Sequence, residues 1–123
     1  MAGEATRIAI VDDDPSVRRA LVRVLTAASY SAASYPSPSD LIASLAVAVP
    51  HCLVADLAMP EMSGLDLHTH LVEAGFSIPT IIITGHPDTG ALKRCQSAGI
   101  RHHLQKPLVL KDLLSAIETA VGR

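Results

Sequence analysis

The chain has 123 residues, the size of one domain, and 49% of them are hydrophobic, which supplies a core and excludes a disordered segment. Ten Lys and Arg oppose twelve Asp and Glu, and a net charge near −2 gives no electrostatic basis for binding nucleic acid or an anionic membrane. No apolar run is long enough to span a bilayer, the N-terminus lacks the pattern of a signal peptide, and Cys52 and Cys95 lie in apolar contexts without metal-type spacing, so the expectation is a cytoplasmic protein with two buried free thiols.

Short apolar runs alternate with amphipathic stretches of about a dozen residues, the pattern of βα units around a parallel sheet. The first strand is predicted over Arg7 to Val11. Asp14-Pro15 reads as N-cap and first helical residue, and the helix that follows places Val17, Leu21, Val24, Leu25 and Ala28 on one face. A second strand lies near Tyr30 to Tyr35. Ser37-Pro38-Ser39-Asp40 starts a helix that carries Leu41, Ile42, Leu45 and Val49. The third strand is His51 to Asp56. A loop containing Met59-Pro60 and Gly64 leads to a helix with Leu67, Leu71 and Ala74. Thr80 to Thr84 is the fourth strand. Gly85 to Gly90 opens the fourth helix, which ends at the C-cap signal Ala98-Gly99. The fifth strand is Ile100 to Gln105, and the last helix, from about Leu110, puts Leu113, Leu114, Ile117 and Val121 on one face.

Strand polarity adds an order. Strands one, three and four are nearly continuous hydrophobic runs, as required of strands covered on both faces. Strand two is broken by serines, and strand five carries Arg101, His102, His103 and Gln105, so both read as edges. The doubly wound order 2-1-3-4-5 has strands two and five at its edges.

In an open α/β sheet the site lies beyond the carboxyl ends of the strands. Strand one is followed by Asp12, Asp13 and Asp14, strand three ends in Asp56, strand four ends in Thr84, and strand five is followed by Lys106-Pro107. Taken singly, each has a plainer role: Asp14 a helix cap, Asp12, Asp13 and Asp56 turn residues, Thr84 a strand former, Lys106 a surface charge. Taken together, they bring carboxylates, a hydroxyl and an ammonium to one rim. Three close carboxylates repel one another unless a cation joins them. Hard oxygen ligands favour Mg²⁺, with Mn²⁺ as the alternative, and such an ion offsets the charge of an incoming phosphoryl group. A carboxylate can then serve as nucleophile and form an aspartyl phosphate, with Lys106 and Thr84 donating to its oxygens.

The segments Ile10-Val11-Asp12-Asp13-Asp14, Asp56-Leu57-Ala58-Met59-Pro60-Glu61-Met62-Ser63-Gly64, Ile83-Thr84-Gly85-His86 and Lys106-Pro107 resemble those of response regulator receiver domains, most of all the FixJ-like branch. The resemblance covers essentially the whole chain. It implies a single receiver domain over residues 1–123, a flavodoxin-like (βα)5 fold, and a phosphoacceptor switch rather than an enzyme. It makes Asp56 the phosphoacceptor. It makes Asp13 a direct Mg²⁺ ligand, Asp12 a ligand through water, and Ala58 a ligand through its backbone carbonyl. Thr84 and Lys106 would hold the phosphoryl group, and the Lys106-Pro107 bond would be cis. The implied partner is a sensor histidine kinase or phosphotransfer protein. Activation would remodel the face of helix four, strand five and helix five, where FixJ-like receivers tend to dimerise. Such receivers commonly precede a DNA-binding domain; no such segment is present in these residues, and the chain is not expected to bind DNA directly.

Two positions depart from the family pattern. The inward-swinging aromatic three residues before the Lys is His103, and the usual Phe after Lys-Pro is Leu108. An imidazole costs more to bury than a phenyl ring unless it is hydrogen-bonded. An aspartyl-phosphate hydrolase of similar topology would need a general acid two residues after the nucleophile, where this chain has Ala58. A non-phosphorylatable interaction module would not need Asp12, Asp13, Asp56, Thr84 and Lys106 intact. The histidines make no zinc set: His68 and His70 point to different faces of a helix, His102 and His103 to opposite faces of a strand, and all are expected at the surface or half-buried.

Overall fold

In a computed structural model, residues 5–85 and 89–122 are described. Five βα units follow one another: β1 (Arg7–Val11), α1 (Pro15–Ala27), β2 (Ser31–Tyr35), α2 (Pro38–Ser44), β3 (Cys52–Asp56), α3 (Gly64–Glu73), β4 (Thr80–Thr84), α4 (Thr89–Ser97), β5 (His102–Gln105) and α5 (Leu110–Ala120). The strands are all parallel and ordered β2-β1-β3-β4-β5. The polar strands β2 and β5 are therefore the edges, as their sequences predicted.

Because side chains alternate across a strand, each central strand feeds two cores. Ile8 and Ile10 of β1, Val54 of β3 and Ile81 and Ile83 of β4 pack with Leu21 and Leu25 of α1 and Leu113 and Ile117 of α5. Ala9 and Val11, Leu53 and Ala55, and Ile82 pack on the other face with Leu41 of α2, Leu67 and Leu71 of α3, and Cys95 of α4. The uninterrupted Ile81-Ile82-Ile83 run is thus shared between both cores and fully buried, at about 1.5–3 kcal/mol of burial for each side chain.

Local signals set most of the boundaries. The Asp14 carboxylate accepts from the Ser16 amide at 2.8 Å and opens α1. Ser63 and Asp66 form a reciprocal capping box that opens α3. Gly99 closes the α4 turn at φ 90°, a conformation that glycine adopts without penalty. Three expectations need correction. The second helix stops at Ser44, leaving Val49 outside it and Val47 91% exposed, because β-branched Val47 and Val49 and the pre-proline position oppose helical continuation. Gly64 is the first residue of α3, not a loop residue. Strand pairing on β5 begins at His102 opposite Ile81, with Ile100 buried in the turn before it. The predicted opening of the fourth helix includes positions 86–88, which lie outside the described residues.

Both cysteines are buried and free. Burial pushes the Cys52 thiol up to about 12 and raises that of Cys95 as well, against a weaker pull from the neighbouring Arg94. The thiolate is the reactive species. In the native protein at pH 8 neither cysteine is expected to react with a thiol-specific disulfide reagent on the time scale of a small-molecule thiol, and both should react in denaturant. Rapid native labelling at Cys52 would contradict its placement in the core.

Candidate functional site at the carboxyl edge of the sheet

The ends of β1, β3, β4 and β5 deliver the polar residues to one rim because parallel strands all finish on the same side. Asp12 is fully buried, Asp56 is 6% exposed and Thr84 5% exposed, whereas Asp13 faces solvent. One carboxylate oxygen from each of Asp12, Asp13 and Asp56 lies within 4.8 Å of the others. Lys106 closes the group: its Nζ donates to Asp12 Oδ2 at 3.1 Å and to Asp56 Oδ2 at 3.2 Å.

Backbone groups hold this arrangement. Asp12 Oδ1 accepts from the Asp14 amide at 2.9 Å, which fixes the carboxylate under the start of α1. The Arg18 guanidinium reaches back to donate to the Asp12 carbonyl at 2.7 Å. Asp56 Oδ1 accepts from the Ala58 amide at 3.2 Å. The Lys106 amide donates to the Thr84 carbonyl at 2.8 Å, so the lysine follows the end of β4 even beyond the β5 ladder. The Lys106–Pro107 peptide is cis, as the family resemblance implied.

Charge and burial oppose each other at Asp56. Desolvation is the largest influence and raises its pKa, the nearby Asp12 raises it further, and hydrogen bonds from Lys106 and Ala58 pull it down without cancelling the rise. For Lys106, burial acts to lower the pKa, but the hydrogen bonds and charges of Asp12 and Asp56 outweigh it and hold the ammonium above the ordinary lysine range. The lysine is thus a fixed positive charge, while Asp56 is a carboxylate held at some cost. Hard, clustered oxygen donors of this kind fit a divalent cation such as Mg²⁺, and they do not fit a soft metal.

Each residue predicted for the site is on this rim, with His103 the exception. His103 sits on β5 in register with Ile82 and is exposed, while His102 beside it is half-buried. Two residues were not singled out beforehand for what they do here. Arg18 gave no signal beyond a charge on α1. Gly64 did: it lies in the quoted loop, eight residues after Asp56. A Cβ at Gly64 would stand 2.6 Å from the Asp56 carbonyl oxygen and 2.9 Å from Ile82 Cδ1. Only glycine lets α3 start this close to the end of β3.

The family model for the response regulator receiver domain matches residues 8–118. The chain belongs to the response regulator receiver domain family. This receiver domain is 34% identical over 114 residues to Nodulation protein W of Bradyrhizobium diazoefficiens, covering 93% of the chain and 50% of that protein. It is 36% identical over 121 residues to response regulator protein TmoT of Ectopseudomonas mendocina, covering 98% of the chain and 55% of that protein. Among solved structures, the FixJ-N crystal structure is 31% identical with a TM-score of 0.89, over 98% of this chain and 97% of that one. The receiver domain spans about half the length of the curated relatives it matches. Among its described residues no helix is long and apolar enough to cross a membrane.

Two consequences of the site geometry are measurable. Gly64→Ala is expected to destabilise the domain by about 2–3 kcal/mol, because the added methyl meets backbone at Asp56 and a filled core at Ile82; a denaturant midpoint unchanged from wild type would contradict the close approach. The raised pKa of Asp56 means that the folded state holds the proton more tightly than the unfolded chain does. Ionised Asp56 therefore costs stability, and the cost accumulates as pH rises from the ordinary carboxylate value through the folded one. In metal-free protein, Asp56→Asn should melt a few degrees above wild type at neutral pH, with the difference closing below the ordinary carboxylate range. A variant that melts below wild type at neutral pH would show that the Lys106 pairing outweighs the repulsion.

Proposed function

We propose that this receiver domain is the phosphoacceptor switch of a two-component pathway, with Asp56 as the residue that takes the phosphoryl group. The observation that carries the reading is the double hydrogen bond of Lys106 to Asp12 and Asp56 in a rim that also gathers Asp13. In the reaction, a carboxylate oxygen of Asp56 attacks the phosphorus of a phosphohistidine on a sensor kinase or phosphotransfer protein. A P–O bond forms, the P–N bond breaks, and the imidazole leaves with its electron pair. Lys106 then transfers its donation to a phosphoryl oxygen and compensates the added charge. The Thr84 hydroxyl, at the buried end of the neighbouring strand, supplies a second donor.

A Mg²⁺ ion, with Mn²⁺ as the alternative, would be held by Asp13, Asp56 and the Ala58 carbonyl, with Asp12 acting through water, and would supply charge compensation to the phosphoryl oxygens. Ala58 carries no acid to activate water, so the acyl phosphate persists as a signal instead of turning over as in a hydrolase. An apolar groove of about 280 Å³ between α1 and the β5–α5 connection, lined in part by Val17, Ala20, Val24, Leu108 and Leu110, runs up to Lys106 and suits contact with the phosphodonor. The output face is formed by α4, β5 and α5. When Thr84 moves toward the phosphoryl group, His103 is the β5 residue free to turn inward, and the altered face supports homodimerisation. The protein acts in the cytoplasm. No nucleic-acid contact is assigned to these residues.

The test is intact mass spectrometry after treatment with acetyl phosphate and Mg²⁺. Wild type is expected to gain one phosphoryl group, Asp56→Asn none, and Asp13→Asn or chelated wild type little. A full adduct on Asp56→Asn would sink the assignment.

A further inference from the structure

His68 belongs to none of this chemistry, yet it is buried and makes specific contacts far along the chain. The sequence pattern placed it at the surface or half-buried; in the fold it is 9% exposed on the inner side of α3. Its Nε2 lies 3.2 Å from the Ala98 carbonyl oxygen, just past the end of α4, and its Nδ1 lies 2.9 Å from Thr80 Oγ1 at the start of β4. A carbonyl can only accept, so Nε2 carries a proton and donates it to Ala98. The Thr80 hydroxyl also faces the Ile78 carbonyl at 3.0 Å, which ties the same network to the turn before β4.

The helix at the far end of this contact is lightly held. The buried residues of α4 are Ala91 and Cys95, both small, whereas α5 buries Leu113, Ala116 and Ile117 and α3 buries Leu67 and Leu71 as well as His68. Burial scales with apolar area, so α4 draws less from the core than its neighbours do. A directional bond from a buried side chain therefore weighs more on α4 than it would elsewhere. That bond is at the C-terminal end of the helix, where a donor also meets the negative end of the helix dipole. The opposite end of α4 is the one nearer Thr84 in the chain.

We propose that His68 is a positioning residue that pins the C-terminal end of α4 to α3 and β4, so that α4 responds to phosphorylation as a lever hinged at Ala98–Gly99. The lever rests on the function proposed above; the pin does not. A movement begun near Thr84 becomes a tilt of α4 about a fixed end, and the displacement at the α4–β5–α5 face grows with distance from the hinge. Without the pin the helix slides as a unit, and the direction of the response is lost.

Two variants separate the contacts. In His68→Gln the longer amide reaches the position of Nε2 and retains the bond to Ala98. In His68→Asn the shorter amide reaches the position of Nδ1 and retains only Thr80. Native-state amide exchange of the unmodified protein is the first readout. The Gly99 and Ile100 amides, which close the end of α4 on Gln96 and Cys95, are expected to exchange about tenfold faster in His68→Asn than in wild type, as for loss of one hydrogen bond, with His68→Gln close to wild type and α5 unchanged in all three. Equal exchange in the Asn and Gln variants would overturn the pin. The second readout is the amide chemical-shift change on adding beryllofluoride and Mg²⁺, with occupancy of Asp56 followed by fluorine resonance. In wild type the changes should fall from Thr89 toward Ser97 and vanish at Ile100; in His68→Asn they should extend through Ile100. Changes in wild type as large at Ile100 as at Thr89 would overturn the lever. Absence of the Asp56 adduct would instead refute the phosphoacceptor function, and the exchange data would still decide the pin.

Discussion

Asp12 and Asp56 are two carboxylates held almost out of water with one ammonium between them, and the rest of the domain follows from keeping them there. Burying carboxylates this deeply is costly without a partner. Lys106 offsets part of that cost by donating to each, and it can do so because β4 and β5 finish side by side, with the Lys106 amide bonded to the Thr84 carbonyl. The balance is incomplete, since Asp56 still has a raised pKa. For the proposed phosphoacceptor role that residual cost is useful: a site short of positive charge favours a divalent ion, and a carboxylate that is poorly solvated is a better nucleophile than one in water.

The backbone around the pair is built for close approach. The Asp12 carboxylate is fixed by the Asp14 amide, Asp14 in turn caps α1, and Arg18 on that helix reaches back to the Asp12 carbonyl. On the other strand, Asp56 is fixed by the Ala58 amide, and the connection after it is returned to the sheet by the Gly64 amide on the Leu57 carbonyl at 3.1 Å. Ser39 adds a tether from α2, donating its amide to Glu61 Oε1 at 2.9 Å and its hydroxyl to the same oxygen. The loop that carries Ala58 is therefore restrained from three directions. A switch needs this division of labour. The residues that bind phosphate must be preorganised, while the element that reports the event must be free to move. On the proposed function, α4, with its small buried side chains, is the element suited to move, and the proposed pin at His68 would limit how it does so.

Most of the architecture was legible in residue order. The alternation of apolar runs and amphipathic segments marks five βα units, and the polarity of Ser31–Tyr35 and His102–Gln105 marks the edge strands, because only central strands are covered on both faces. The polar rim was legible as well, since parallel strands necessarily end on one side and Asp12, Asp13, Asp56, Thr84 and Lys106 all end or follow a strand. The misread element boundaries have local causes. Val49 continued a helical pattern of apolar residues, but β-branching at Val47 and Val49 and the following Pro50 end α2 early, a case where backbone preference overrides periodicity.

What no pattern in the chain could express is distance between segments far apart in sequence. Lys106 lies 94 residues from Asp12 and 50 from Asp56, and that it sits between them, at 3.1 and 3.2 Å, is a result of strand order and register alone. The requirement for glycine at position 64 arises from the approach of α3 to the backbone of Asp56, and the burial of His68 from its position between Thr80 and Ala98, 12 and 30 residues away. Hydrophobic periodicity and turn chemistry are properties of neighbours along the chain, so they specify elements, sheet order and the kinds of residue at the rim. Hydrogen bonds and close contacts act only within a few ångströms, so their partners are chosen when the elements pack.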